Sequence, residues 1–218
     1  MNKLFRKALN ITILIVLAYS IDSDASVFIS EIMPNPVTGG EWVEIYNSSS
    51  VNVSLTNWRL IDRTGNSGMT SKSPFSVKGN TYAILAQDSS VITELSSLPK
   101  GIIIVMDSWT GLNNDGDELL LQNANRQDVD QIAYGAEAAV NKGRSWEKID
   151  LKKADNNNNN WGQCASMIGH TAGKANSLYI STHANKIKIF VDPNPFSPDG
   201  DGDGDIATIS FGSVRYFV

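Results

Sequence analysis

Alternation at period two, broken at short intervals by turn residues, limits this chain to few architectures. In Gly40-Glu41-Trp42-Val43-Glu44-Ile45-Tyr46-Asn47, bulky residues alternate with acids before a polar turn. A second short run follows, Leu55-Thr56-Asn57-Trp58-Arg59-Leu60-Ile61-Asp62. Two strands joined by a short loop are the simplest structure that fits. Comparable runs at 27–32, 42–46, 51–55, 58–62, 81–86, 101–106, 118–122, 128–134 and 145–149 read as strands. Pro34-Asn35-Pro36, Gly39-Gly40, Thr64-Gly65-Asn66, Asn113-Asn114-Asp115-Gly116-Asp117 and Asn123-Ala124-Asn125 separate them. Many short strands with turns at this spacing predict an all-β, antiparallel sandwich. Residues 88–98 are the one segment with the pattern of a short helix.

The N-terminus has a different pattern. Lys3, Arg6 and Lys7 precede an apolar stretch at 8–19, and Ser23-Asp24-Ala25 supplies small residues beyond it. That is the layout of a secretory signal peptide, expected at 1–25. The apolar stretch is short for a membrane span, which needs about 20 residues; an uncleaved anchor is the alternative. The only cysteine is Cys164, so no lipid-bearing cysteine stands near the cleavage region, and an exported chain must be held by its core or by metal rather than by disulfides. Removing 1–25 takes three basic residues and two acids from totals of 18 and 23. The remainder has 15 basic and 21 acidic residues, a formal charge of −6. A mildly acidic chain argues against nonspecific binding to nucleic acid or anionic lipid, both of which need clustered Lys and Arg.

Toward the C-terminus, the Asn-rich stretch at 155–160 reads as a polar loop and 179–185 as a linker. Residues 186–191 alternate like a new strand, and two further strand-like runs follow at 206–211 and 214–218. Some 30 residues do not readily bury a core of their own. The 186–218 segment therefore reads as the start of a truncated second domain or as strands added to the first.

The residue patterns offer little catalytic chemistry. Glu41 and Glu44, three apart on a strand, point to opposite faces and cannot form a glycosidase-type pair. Glu31 is the acid that folding could bring near either of them, and solvated or hydrogen-bonded strand acids are the simpler reading. His170 and His183 have no Ser/His/Asp or Cys/His context, and the chain reads as non-enzymatic. Asp199, Asp201, Asp203 and Asp205 alternate with Gly200, Gly202 and Gly204, so several carboxylates can converge on a hard cation such as Ca²⁺. The spacing matches the start of a helix-loop-helix calcium loop and then departs from it: Ser210 occupies the twelfth position, where a bidentate acid belongs. A solvated turn is the alternative. Of five tryptophans, Trp42, Trp58 and Trp146 lie in strand patterns and read as core, whereas Trp109 and Trp161 fall in loops and are candidates for a ligand surface.

The successive runs share one order: Ile29-Ser30-Glu31-Ile32-Met33-Pro34-Asn35-Pro36, the two opening segments, then Gly111-Leu112-Asn113-Asn114-Asp115-Gly116-Asp117-Glu118-Leu119-Leu120-Leu121. Val129-Asp130-Gln131-Ile132-Ala133-Tyr134-Gly135, Gly143-Arg144-Ser145-Trp146-Glu147-Lys148-Ile149 and the loop to Trp161 continue it. In that order they resemble the lamin-tail domain, an immunoglobulin-like β-sandwich, over about residues 27–178. The family's closing Thr-Pro-Gly-x-x-Asn stands here as Thr171-Ala172-Gly173-Lys174-Ala175-Asn176, with Ala172 in place of proline. Farther on, Asp192-Pro193-Asn194-Pro195-Phe196-Ser197-Pro198-Asp199-Gly200-Asp201-Gly202 is similar to the opening of Ig-like C-terminal domains of secreted bacterial proteins, which resemble the one in flagellar hook-capping protein. The usual Val-Asn-Asp continuation is replaced by Asp203-Gly204-Asp205, and only the first third of such a domain is present. The resemblances imply an exported, non-catalytic module for adhesion or scaffolding, secreted or periplasmic and attached at the cell surface, with a protein or glycan partner. Alternatives are an accessory domain of a secreted nuclease or hydrolase, and a calcium-stabilised sorting module.

Overall fold

The computed structural model describes residues 26–213 except Ser71, Lys100, Lys152, 154–157, 180–186, Asn194 and Gly204. The expected signal peptide, nearly all of the expected linker, His183, much of the Asn-rich stretch and the final run at 214–218 lie outside the described residues.

A six-stranded sheet runs in the order β12 (Trp161–Gln163), β11 (Trp146–Lys148), β1 (Val27–Met33), β2 (Trp42–Asn47), β7 (Thr81–Ala86), β8 (Ile103–Val105). A four-stranded sheet is ordered β10 (Asp128–Gly135), β9 (Gly116–Gln122), β4 (Arg59–Asp62), β5 (Ser67–Met69). Two small sheets pair β3 (Val53–Ser54) with β6 (Ser76–Val77) and β13 (Ile187–Asp192) with β14 (Thr208–Ser213). The expected all-β sandwich is present. Strands β5, β6 and β12, of two or three residues each, are too short to show a period and carry no signal in the sequence.

All pairings are antiparallel except β7 with β8. A parallel pair cannot be closed by a hairpin and requires a crossover. The crossover holds α1 (Ser90–Glu94), the short helix expected within 88–98, which buries Val91. Among the described residues, no helix is long and apolar enough to cross a membrane.

The alternation read in the sequence determines which side chains fill the interior. Ile29, Ile32, Val43, Ile45 and Leu85 of the larger sheet meet Leu60, Leu119, Leu121 and Ile132 of the smaller in one buried cluster. Burying each such side chain contributes about 1.5–3 kcal/mol. Trp58 belongs to this core, as expected, and Trp146 packs half-buried against it. Trp42 instead faces outward from the larger sheet, into a second buried cluster with Met33, Ile84, Ala86, Val91, Leu95 and Ala172. Asn47 closes β2: its amide donates to the carbonyls of Val51, Val77 and Lys78, and its side-chain oxygen accepts from the Ser49 N–H and hydroxyl. It therefore ties down the turn after the strand.

One irregularity sets the geometry of the larger sheet. Ile29 pairs with Ile45, but Glu31 pairs with Glu44, so Ser30 is an extra residue in β1. Such a bulge shifts the register by one and reverses the faces of everything beyond it. Ile32 thereby joins the core opposite Val43, and Glu31 turns to the outer face beside Glu44.

Candidate functional site

Three glutamates form a row on the outer face of the larger sheet. Glu31 of β1 pairs with Glu44 of β2 on one side and with Glu147 of β11 on the other. All three are 0% exposed. They are covered by residues 164–178, which include the Thr171-to-Asn176 motif. Ser145 Oγ and the Thr171 N–H donate to Glu31 Oε1, the latter at 2.9 Å. The Thr171 hydroxyl reaches Glu31 Oε2 at 3.1 Å and Glu147 Oε1 at 2.6 Å. Glu147 Oε2 accepts from Ser177 Oγ at 2.7 Å and the Leu178 N–H at 3.1 Å. Glu44 accepts from Ser30 Oγ at 2.7 Å and the Gly173 N–H at 2.6 Å. Gly173 takes φ +75°, and a Cβ there would stand 3.1 Å from Leu98 Cδ2, so glycine suits both the backbone and the close approach. The Asn176 amide donates to the carbonyls of Ser30 and Lys148 at 2.7 and 2.8 Å, fastening the segment's far end to β1 and β11.

No cation stands among these donors. Burial, reinforced by the charge of Glu147, raises the Glu31 pKa from 4.5 to about 7, against the pull of its hydrogen bonds to Ser145 and Thr171. Burial, and then the Glu31 charge, hold Glu44 well above the usual carboxylate range. Burial likewise pushes the Cys164 thiol up to about 11, so this cysteine is a buried, protonated residue. With every carboxylate sealed, the row offers no surface to a substrate.

Glu41 and Glu44 face different sides, as their spacing predicts. Glu41 Oε2 accepts from the Trp109 indole N–H at 2.7 Å and the Leu112 N–H at 2.9 Å. The simple reading of strand acids as solvated or hydrogen-bonded missed their association: Glu44 is fully buried with Glu31 and Glu147. One signal for this was in the sequence, because the apolar spacing Val27, Ile29, Ile32 breaks from two to three and marks a bulge.

Trp109 lies in a loop as expected, half-buried, with its N–H committed to Glu41. Trp161 is a correction: it begins β12, is 5% exposed and sits in the main core. Its ring faces the Lys148 ammonium at 5.8 Å, inside the structure rather than on a ligand surface. The Asp/Gly turn brings carboxylate oxygens of Asp199, Asp201 and Asp205 within 4.8 Å of one another, without Asp203. Asp205 already accepts the N–H groups of Gly200 and Gly202 at 2.7 and 2.8 Å.

A second buried charge joins the two sheets. Lys148 Nζ lies 2.9 Å from Asp130 Oδ2, and the same oxygen accepts the Ile29 N–H at 2.8 Å. Lys148 is 0% exposed and its ammonium stands 5.5 Å from the Phe28 ring.

The family model described as Lamin Tail Domain matches residues 22–136. That span is just over half of the 218 residues and includes Glu31 and Glu44; Glu147 and the closing segment lie beyond it. No curated protein matches the chain.

Proposed function

The chain belongs to the lamin tail domain family, and from that premise we propose that it is a non-catalytic binding or scaffold module acting outside the cytoplasm. One observation carries the reading: the fold seals its clustered carboxylates under the closing segment and leaves them no open cleft. Export is proposed from the basic, apolar and small-residue pattern of 1–25. The partner is proposed to be a protein or glycan at the cell surface. We assign the C-terminal segment to a hook-capping-like Ig domain that serves attachment, on the Asp192-to-Gly202 resemblance. An Ig-like sandwich hosts many roles, so the fold by itself does not fix the function.

The test is retention. Mature protein passed over immobilised glycans, cell-wall fragments and surface-protein extracts is expected to bind one class saturably and to leave it chemically unchanged. Turnover of a bound glycan or peptide would overturn the reading, and so would absence of binding to every surface.

A calcium-stabilised turn is a second reading, favoured by the convergence of Asp199, Asp201 and Asp205. If it holds, millimolar Ca²⁺ raises the melting temperature relative to chelator, and Asp201→Asn abolishes the difference. Identical melting curves in Ca²⁺ and chelator would remove the role.

A further inference from the structure

We propose that residues 164–178 form a proton-dependent latch, closed over the buried glutamate row while Glu31 and Glu44 hold their protons and released when those protons leave. The proposal is independent of the partner inferred above. It starts from how this segment is attached. Of its side chains only Cys164, Ala172 and Asn176 are buried, while Met167 and Ile168 are 98% and 69% exposed. An open groove of about 200 Å³ runs along the segment, lined by Leu98, Ser166, Ile168, His170 and Lys174. The segment rests on the outer apolar cluster through Ala172, and its bonds to the row from Thr171, Gly173, Ser177 and Leu178 supply much of the remaining attachment.

Charge decides the state of the row. Three neighbouring carboxylates, all at 0% exposure, cannot ionise together without a cation to offset them. The groups that face them are neutral or turned elsewhere. From β1, β2 and β11 come the glutamates, with Ser30 and Ser145. From β7 comes Tyr82, whose pKa is raised by burial and by the charge of Glu44. Tyr46 stacks on Tyr82 with ring centroids 4.7 Å apart, and Tyr179 adds its field to the same hydroxyl. The closing segment brings Cys164, His170 and Lys174. Burial and Lys174 hold the His170 pKa below its usual value, and Lys174 is exposed. The nearest lysine in sequence, Lys148, is committed to Asp130.

The direction follows from Glu31. Below pH 4.5 the closed and open forms both hold its proton, and closure has full strength. As the pH rises from 4.5 through about 7, the open form ionises first, so the stability of closure is lost toward alkaline pH. Opening would uncover the outer apolar cluster around Trp42 and Met33, on which Ala172 now rests.

Hydrogen exchange on the full chain tests this. Corrected for intrinsic rates, protection of the Thr171, Gly173 and Leu178 amides is expected to fall roughly 100-fold between about pH 5 and pH 8.5, while the amides of β9 hold. Glu44→Gln and Glu31→Gln, which carry no ionisable proton there, should flatten that dependence. Should either variant fail to fold, infrared spectroscopy of the wild type gives an independent reading: a carboxylic-acid stretch should persist in the folded state at about pH 6, well above the ordinary glutamate range. PH-independent protection, an unchanged slope in the folded variants, or absence of that stretch would overturn the proposal. So would restored protection at alkaline pH on adding Ca²⁺ or Zn²⁺ to wild type alone, which would make the row a metal site.

Discussion

Lys148→Met is expected to lower the melting temperature by roughly 6–20 °C. The figure combines a loss of about 3–5 kcal/mol for breaking a buried pair with about 2–4 °C per kcal/mol for a domain of this size. The substitution keeps much of the side-chain volume and removes the charge. Asp130, whose side chain is 4% exposed, would then hold an uncompensated carboxylate satisfied only by the Ile29 N–H. The cost is the stranded charge more than the lost attraction. The Lys148→Met, Asp130→Leu double variant should therefore recover part of the loss. Recovery should stay incomplete, because Asp130 also accepts the Ile29 N–H beside the β1 bulge, and leaving that donor buried costs about 1–3 kcal/mol. Chemical denaturation of the single and double variants measures both steps. If Lys148→Met costs less than about 1 kcal/mol, the pair is solvated and does not clasp the sheets.

This clasp and the glutamate row show where sequence reading runs out. The strand at Trp42–Asn47 was legible because its alternation is local, and the core positions Val43 and Ile45 followed from it. Placing Glu147 beside Glu31, and Lys148 beside Asp130, needs a pairing across more than a hundred residues in the first case and between sheets in the second. Nothing in Trp146-Glu147-Lys148 alone indicates which strand it will join. The bulge at Ser30 compounds this, since one inserted residue decides whether Glu31 faces the core or the row. Trp161 was misplaced for a related reason. It follows an Asn-rich stretch, and the three residues of β12 are too few to display a period, so pairing with β11 decides their structure. The Thr171-to-Asn176 motif could be read as an element of the family pattern, but its task, donating hydrogen bonds to buried acids, becomes visible only once the sheet is assembled.

Trp42→Ala should cost about 3–5 kcal/mol, the range for emptying a buried aromatic site. Trp42 is 0% exposed and fills the outer cluster between α1 and the closing segment, its ring edge-on to His170 at 6.0 Å and 86°. Its indole N–H finds no hydrogen-bond partner among the described residues. Burial of the indole therefore carries a polar cost that a phenyl ring avoids, and Trp42→Phe should lose much less than Trp42→Ala, about 1–2 kcal/mol. The location of the damage matters as much as its size. The outer cluster is separated from the main core by the sheet itself, so exchange protection in α1 and residues 164–178 should collapse first in Trp42→Ala. The β4 and β9 amides around Leu60 and Leu121 should keep theirs until global unfolding. Trp58→Ala, a change of the same size in the main core, should lower all of them together. Were Trp42→Ala to erode β9 as much as α1, the two clusters would behave as one cooperative unit, and the closing segment could not open while the sandwich stays folded.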